Sequence, residues 1–233
     1  MIKKLLLIAL LTLPMGMMAQ SEWTLPDQPK KEEPQKKAKK HDKDAAKAKE
    51  HGADAKQKAA PQLKIDRKYA AGGVPEVNGK VVWDVDIPTD GMPVEVMYDK
   101  ALAVINTIVS EPRQSKESRI TAVNKAEHII AAHMDEEMVF SNHTFAKDFT
   151  RFRYTLIATC HHDRLTISLN RISYAYEMQR GNGEIYTAEE WITDRQSLNK
   201  KGTNLYRLNG KFRKGTIDRK DEIVSMFQEA MRR

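Results

Sequence analysis

The sequence predicts an α+β domain in which helices cover one face of an antiparallel sheet of about five strands. Three observations predict it. Apolar and polar residues alternate in short runs near residues 81–87 and 152–169, the period of half-buried strands. Residues 93–110 instead carry apolar side chains at helical spacing. The resulting order is strand, helix, four strands, irregular region, helix. Such an order packs both helices on one sheet face.

Each element follows from local chemistry. Asn78-Gly79 marks a turn. Val81, Trp83, Val85 and Ile87 then alternate with Val82, Asp84 and Asp86 until Pro88 ends the strand. Pro93 suits a first helical turn, and Val94, Met97, Tyr98, Ala101, Ile105, Ile108 and Val109 form one stripe before Pro112 stops the helix. Residues 119–124 and 128–134 read as two short strands. Asp135-Glu136-Glu137 then leads into an irregular polar loop.

A hairpin comes next. Phe152, Tyr154, Leu156, Ala158 and Cys160 alternate with Arg153, Thr155, Ile157 and Thr159, and the chain turns near His162-Asp163. The return strand places Leu165, Ile167 and Leu169 on one face. Its later apolar residues, Ile172, Tyr174 and Tyr176, have the opposite parity, which a bulge near Asn170-Arg171 accounts for. Gly181-Asn182-Gly183 opens a weakly patterned region with a short helix at 188–194. A final helix spans 218–232. Asp218 is its expected N-cap, and Ile223, Val224, Phe227, Ala230 and Met231 form its apolar face.

The N-terminal part has a different character. Lys3 and Lys4 precede a 14-residue apolar run, Leu5 to Met18, followed by Ala19-Gln20. That pattern is a cleavable signal peptide over residues 1–20, too short for a comfortable membrane span. No cysteine follows the run, so a lipoprotein is not expected. Residues 21–73 read as a Lys/Ala-rich tether, disordered or partly helical. Residues 21–70 hold 14 Lys+Arg against 9 Asp+Glu, whereas residues 71–233 hold 23 of each. The folded part, residues 74–233, is one neutral domain, which argues against nucleic-acid binding. The expected location is the periplasm, the cell surface or the medium. The single cysteine, Cys160, allows no internal disulfide.

No catalytic or cofactor-binding motif is present, and none is assigned. His161, His162 and Asp163 are the candidate metal ligands, but adjacent strand residues point to opposite faces, so no metal site is expected. The same geometry separates Cys160 from His161 as a nucleophile–base pair. Tyr154, Tyr174, Tyr176 and Trp191 are candidate binding-face aromatics, or alternatively a second core layer under the C-terminal region.

Val74-Pro75-Glu76-Val77-Asn78-Gly79-Lys80-Val81-Val82-Trp83, followed by Tyr98-Asp99-Lys100-Ala101, resembles the start of a domain-of-unknown-function family. Its members are exported proteins of Bacteroidota with a TBP-like fold. The resemblance covers about residues 75–176, with residues 177–233 as a C-terminal extension. It implies a TBP-like sheet and brings no catalytic residues. TATA-box binding proteins use the sheet face for DNA, a role an exported neutral domain does not inherit. The expected function is a non-enzymatic binding or structural module of the cell envelope, with an envelope protein or glycan as partner. Two alternatives stand beside it. One is an envelope hydrolase or metal-dependent enzyme with an unrecognised site. The other is lipid or lipopolysaccharide contact, an anionic surface meeting residues 30–58.

Overall fold

A computed structural model describes residues 64–143 and 146–232. The expected signal peptide, and the tether as far as residue 63, lie outside the described residues. Asn78 and Gly79 both take positive φ, the conformation a two-residue hairpin turn requires. They join β1 (Glu76–Val77) to β2 (Lys80–Val81). The main sheet is antiparallel and six-stranded. Its strands are β3 (Trp83–Pro88), β4 (Arg119–Asn124), β5 (Ile129–His143), β6 (Ala146–Cys160), β7 (Arg164–Tyr176) and β8 (Glu184–Thr187). The order is β3-β7-β6-β5-β4, with β8 also pairing with β7.

Alternation along these strands sends Ile87, Ile130, Met134, Phe152, Leu156, Leu165 and Ile167 to one face, where all are buried. Helix α1 (Val94–Val109) covers that face with Met97, Ala101, Ile105 and Ile108. Helix α4 (Arg207–Arg232) lies beside it and supplies Phe212, Ile217, Ile223 and Phe227. The Lys100 ammonium donates to the Ala230 carbonyl at 2.9 Å and ties the two helices together. Two one-turn helices, α2 (Ala188–Trp191) and α3 (Asp194–Ser197), connect β8 to α4. They replace the single helix expected at 188–194. No helix among the described residues is long and apolar enough to cross a membrane.

Three further differences from the sequence reading have physical causes. First, the acidic stretch at 135–137 does not open a loop: β5 runs through it to His143, paired along its length with β6. The acids are tolerated mid-strand because each has a cationic partner. Asp135 accepts from Arg151 and Arg153, Glu136 from Arg219, and Glu137 from Lys147. Second, α4 begins at Arg207, eleven residues before the expected start. Asp218 is therefore no N-cap; it accepts from Lys68 Nζ at 2.6 Å and from the Tyr69 hydroxyl at 2.5 Å. Gly210 and Gly215 hide this helix from a propensity reading, yet both are close-approach sites. A Cβ on Gly215 would lie 2.6 Å from the Met138 sulfur, and one on Gly210 2.6 Å from the Leu205 Cβ. Third, folded structure starts before residue 74. Residues 64–73 pack on α4 through buried Tyr69 and Ala70, and the Lys64 N–H donates to the Thr203 carbonyl.

Candidate functional site

Helices cover the inner face of the sheet and leave the other face open. Along that open face, register sets side chains in rows across the strands. One row runs Arg119–His133–Thr155–Asn170. The next runs Asp135–Arg153–Ser173–Thr187. On the other side, Ala131 pairs with Ile157 and Ile157 with Ser168. A groove of about 1030 Å³ runs over this surface. Its floor holds Thr121, His133, Thr155, Asn170 and Ser173 between Ala131, Ile157 and Ile172. The crossing from β4 to β7 takes three inter-strand steps, roughly 14 Å.

The groove ends in a notch at the sheet edge. β3 pairs with β7 as far as Leu169, and β8 pairs with it only from Ser173. The residues between, Asn170, Arg171 and Ile172, have no strand on their outer side. Here lies the expected bulge: two β7 residues, Arg171 and Ile172, stand where one would match Tyr154. Lys80 and Val82 flank the notch on one side, Thr187 and Glu189 on the other. The Glu189 carboxylate accepts the Val81 N–H at 2.9 Å and holds the β1–β2 hairpin there.

Arg171 has φ 53°, a left-handed conformation that costs a non-glycine residue about 1 kcal/mol. Bulges of this kind re-aim side chains next to functional sites. Arg171→Gly is therefore expected to raise unfolding free energy by about 0.5–1 kcal/mol in denaturant titration. A loss of stability would show that the side chain serves the fold rather than the groove.

The residues singled out from sequence lie elsewhere. Tyr154 and Tyr174 sit on the helix-covered face and are fully buried. The Tyr174 hydroxyl bonds to Thr216 at 2.7 Å, and its ring meets Phe212 edge-on. The half-buried Tyr176 accepts from Lys211 and donates to Asp148. Trp191 stacks on Tyr186 at 3.8 Å between ring centroids. Tyr154 and Tyr174 thus belong to an inner aromatic layer under α4, and the half-buried Tyr176 and Trp191 stand at its edge against Phe212.

His161, His162 and Asp163 occupy the β6–β7 turn, where the His161 N–H donates to the Arg164 carbonyl and the Asp163 carbonyl accepts from Thr89. Among the described residues, no group of three or more His, Cys, Asp or Glu side chains is placed to hold a metal ion. His133 lies in the groove, while His128 packs edge-on against Tyr98. Cys160 is buried at the end of β6, and burial pushes its thiol up to about 11. At pH 8 the thiolate fraction is then on the order of one in a thousand. Iodoacetamide is expected to label the native protein far more slowly than the denatured one; equal rates would place the thiol at the surface.

A protein-family model described as a domain of unknown function (DUF4468) with TBP-like fold matches residues 83–175. Among solved structures, a DUF4468 family protein from Bacteroides ovatus is 33% identical with a TM-score of 0.67. That alignment covers 72% of this chain and 95% of the relative. A TBP-like protein from Parabacteroides distasonis is 20% identical with a TM-score of 0.55, covering 68% and 97% of the two chains, a likeness of fold alone. No curated protein matches. The helix-backed antiparallel sheet with one open face is thus a TBP-like α+β fold. Within that class, the chain belongs to the DUF4468 family. The groove floor from Thr121 to Ser173 lies inside the matched segment; Lys80, Val82, Thr187 and Glu189 lie outside it.

Proposed function

We propose that the chain is a non-enzymatic binding module of the bacterial cell envelope that takes its partner on the open sheet face. One observation carries this reading: the groove of about 1030 Å³ at a bulged, notched sheet edge. Hydroxyl, amide and imidazole groups on rigid strands both donate and accept hydrogen bonds, and Ile157 and Ala131 add apolar contact. Such a floor suits a polar ligand lying across the strands, a glycan or a polypeptide segment. The ionisable groups of the groove are Lys80, His133, Arg171 and Glu189, and Glu189 is engaged by the Val81 N–H. They make neither a carboxylate pair nor a nucleophile–base pair, which favours binding over hydrolysis. The export reading of residues 1–20 supports the envelope as the place of action.

The test is a groove-filling variant. Thr155→Trp places a bulky ring on the open face without entering the core. Affinity capture from crosslinked cells, compared with the parent chain, is expected to lose one reproducible envelope partner. Identical capture by parent and variant would contradict the reading.

A further inference from the structure

We propose that a second surface, the pole formed by residues 64–68, the turn at 199–204 and the start of α4, binds phosphate-bearing lipid headgroups. Packing brings these three segments together. The Lys64 N–H donates to the Thr203 carbonyl at 2.9 Å. Arg67 and Gly202 line one shallow depression, so Lys200 and Lys201 stand at its rim. Arg207 and Lys214 are seven residues apart on α4 and share a helix face. The Lys214 ammonium lies 5.2 Å from the Tyr69 ring centroid.

Lys64, Arg67, Lys200, Lys201, Arg207 and Lys214 are all exposed. The acids of this pole are already engaged. Asp66 accepts the Lys68 N–H at 3.3 Å, Asp194 accepts from Arg213 and the Gly72 N–H, and Asp218 accepts from Lys68 and Tyr69. Six cations therefore face outward at one pole of a domain whose residues 71–233 are neutral overall, so the charge is unevenly spread. That excess complements an anionic surface.

Two apolar residues decide which one. Tyr206 and Leu208, on either side of Arg207, are 45% and 43% exposed. A tyrosine and a leucine among cations match the headgroup–acyl boundary, where rings and apolar side chains insert while Lys and Arg meet phosphates. Duplex DNA and heparin bind chiefly where their anionic groups meet cations, so an exposed leucine beside the tyrosine favours the lipid boundary over them. The surface is distinct from the groove, so a domain held to a membrane by this pole keeps its sheet face free for a partner.

The test is sedimentation with vesicles of phosphatidylglycerol and phosphatidylcholine, against phosphatidylcholine alone. The protein is residues 56–233, which keeps the N-terminal apolar run out of the assay while retaining all of the described residues. Salt-sensitive binding to the anionic vesicles is expected. Lys200→Gln with Lys201→Gln should weaken it roughly 20-fold, about five-fold per cation. Tyr206→Ser with Leu208→Ser should weaken vesicle binding several-fold while leaving retention on heparin unchanged. Equal binding to neutral vesicles, or indifference to both double variants, overturns the proposal. Strong DNA or heparin binding with no loss on vesicles from the Tyr206/Leu208 pair assigns the pole to a polyanion other than lipid. Circular dichroism confirms that each variant folds.

Discussion

Replacing Arg213 with lysine will destabilise the domain by about 4 kcal/mol in chemical denaturation. The Arg213 side chain is fully buried in α4, and all five of its N–H groups are used. Nε donates to the Tyr69 carbonyl at 2.8 Å. One terminal nitrogen donates to the Ile192 carbonyl at 2.9 Å and the Ser197 hydroxyl at 3.2 Å. The other donates to the Ala70 carbonyl and to the Asp194 carboxylate at 2.7 Å. One guanidinium thus fastens the segment before β1 and the α2–α3 turn onto the same helix. A lysine ammonium has three donors and no planar fork, so buried acceptors lose their partners. Hydrogen exchange in Arg213→Lys should accelerate at residues 64–73 and 192–198 before the sheet responds. A cost under about 1 kcal/mol would mean the segment is held by Tyr69 and Ile65 packing instead.

The second large effect concerns a buried ion network on the inner face. The Glu136 carboxylate and the Arg219 guanidinium are 1% and 4% exposed. They pair through two contacts of 2.8 and 2.9 Å. Arg219 also reaches Glu111 at 2.6 Å and Glu222 at 2.9 Å, and the Gln114 amide donates to Glu136. Burial raises the Glu136 carboxyl above its ordinary value, and Arg219 pulls it back only in part. Glu136→Met strands a buried guanidinium without its acceptor oxygens and should cost about 3–5 kcal/mol. Replacing both partners, Glu136→Met with Arg219→Met, should cost less than either single change, because no charge is then stranded. A double variant worse than both singles would show that the pair itself stabilises the fold.

The pH dependence has a definite sign. A carboxyl that holds its proton more tightly folded than unfolded contributes most below the ordinary carboxylate range. That contribution declines as pH rises from about 4.5 through the raised value. In Glu136→Gln this decline should vanish from stability curves across the same window.

Much of this fold was legible because period and turn chemistry are local. Residues 119–124 match β4, the alternation from Phe152 to Cys160 lies within β6, and the parity switch at Asn170-Arg171 is the observed bulge. What escaped depends on distant partners. Asp135 and Glu136 look like loop residues until Arg151, Arg153 and Arg219 arrive beside them. Gly210 and Gly215 look like helix breakers until Leu205 and Met138 are seen to need the space. Strand β8 carries only four residues and pairs at the edge with β7, too short for alternation to declare itself.

The candidate site divides the same way. Thr155 and Ile157 were visible as the polar-side members of an alternating strand. That they face an uncovered surface, while Tyr154 and Tyr174 face α4, depends on which side the helices take. The clustering of Lys64, Arg67 and Lys200 depends on a contact between residues far apart in sequence. The inner aromatics drew notice for their type, yet a buried ring fills space far more often than it meets a ligand.

The most direct measurement is site-specific photo-crosslinking in living cells. p-Benzoylphenylalanine is placed at position 155 or 157 on the open face, and at position 103 on the solvent side of α1 as a control. The account predicts a discrete adduct of one partner from positions 155 and 157 and none from 103. Adducts of equal yield from both faces, or from α1 alone, would contradict a binding module that works through its sheet.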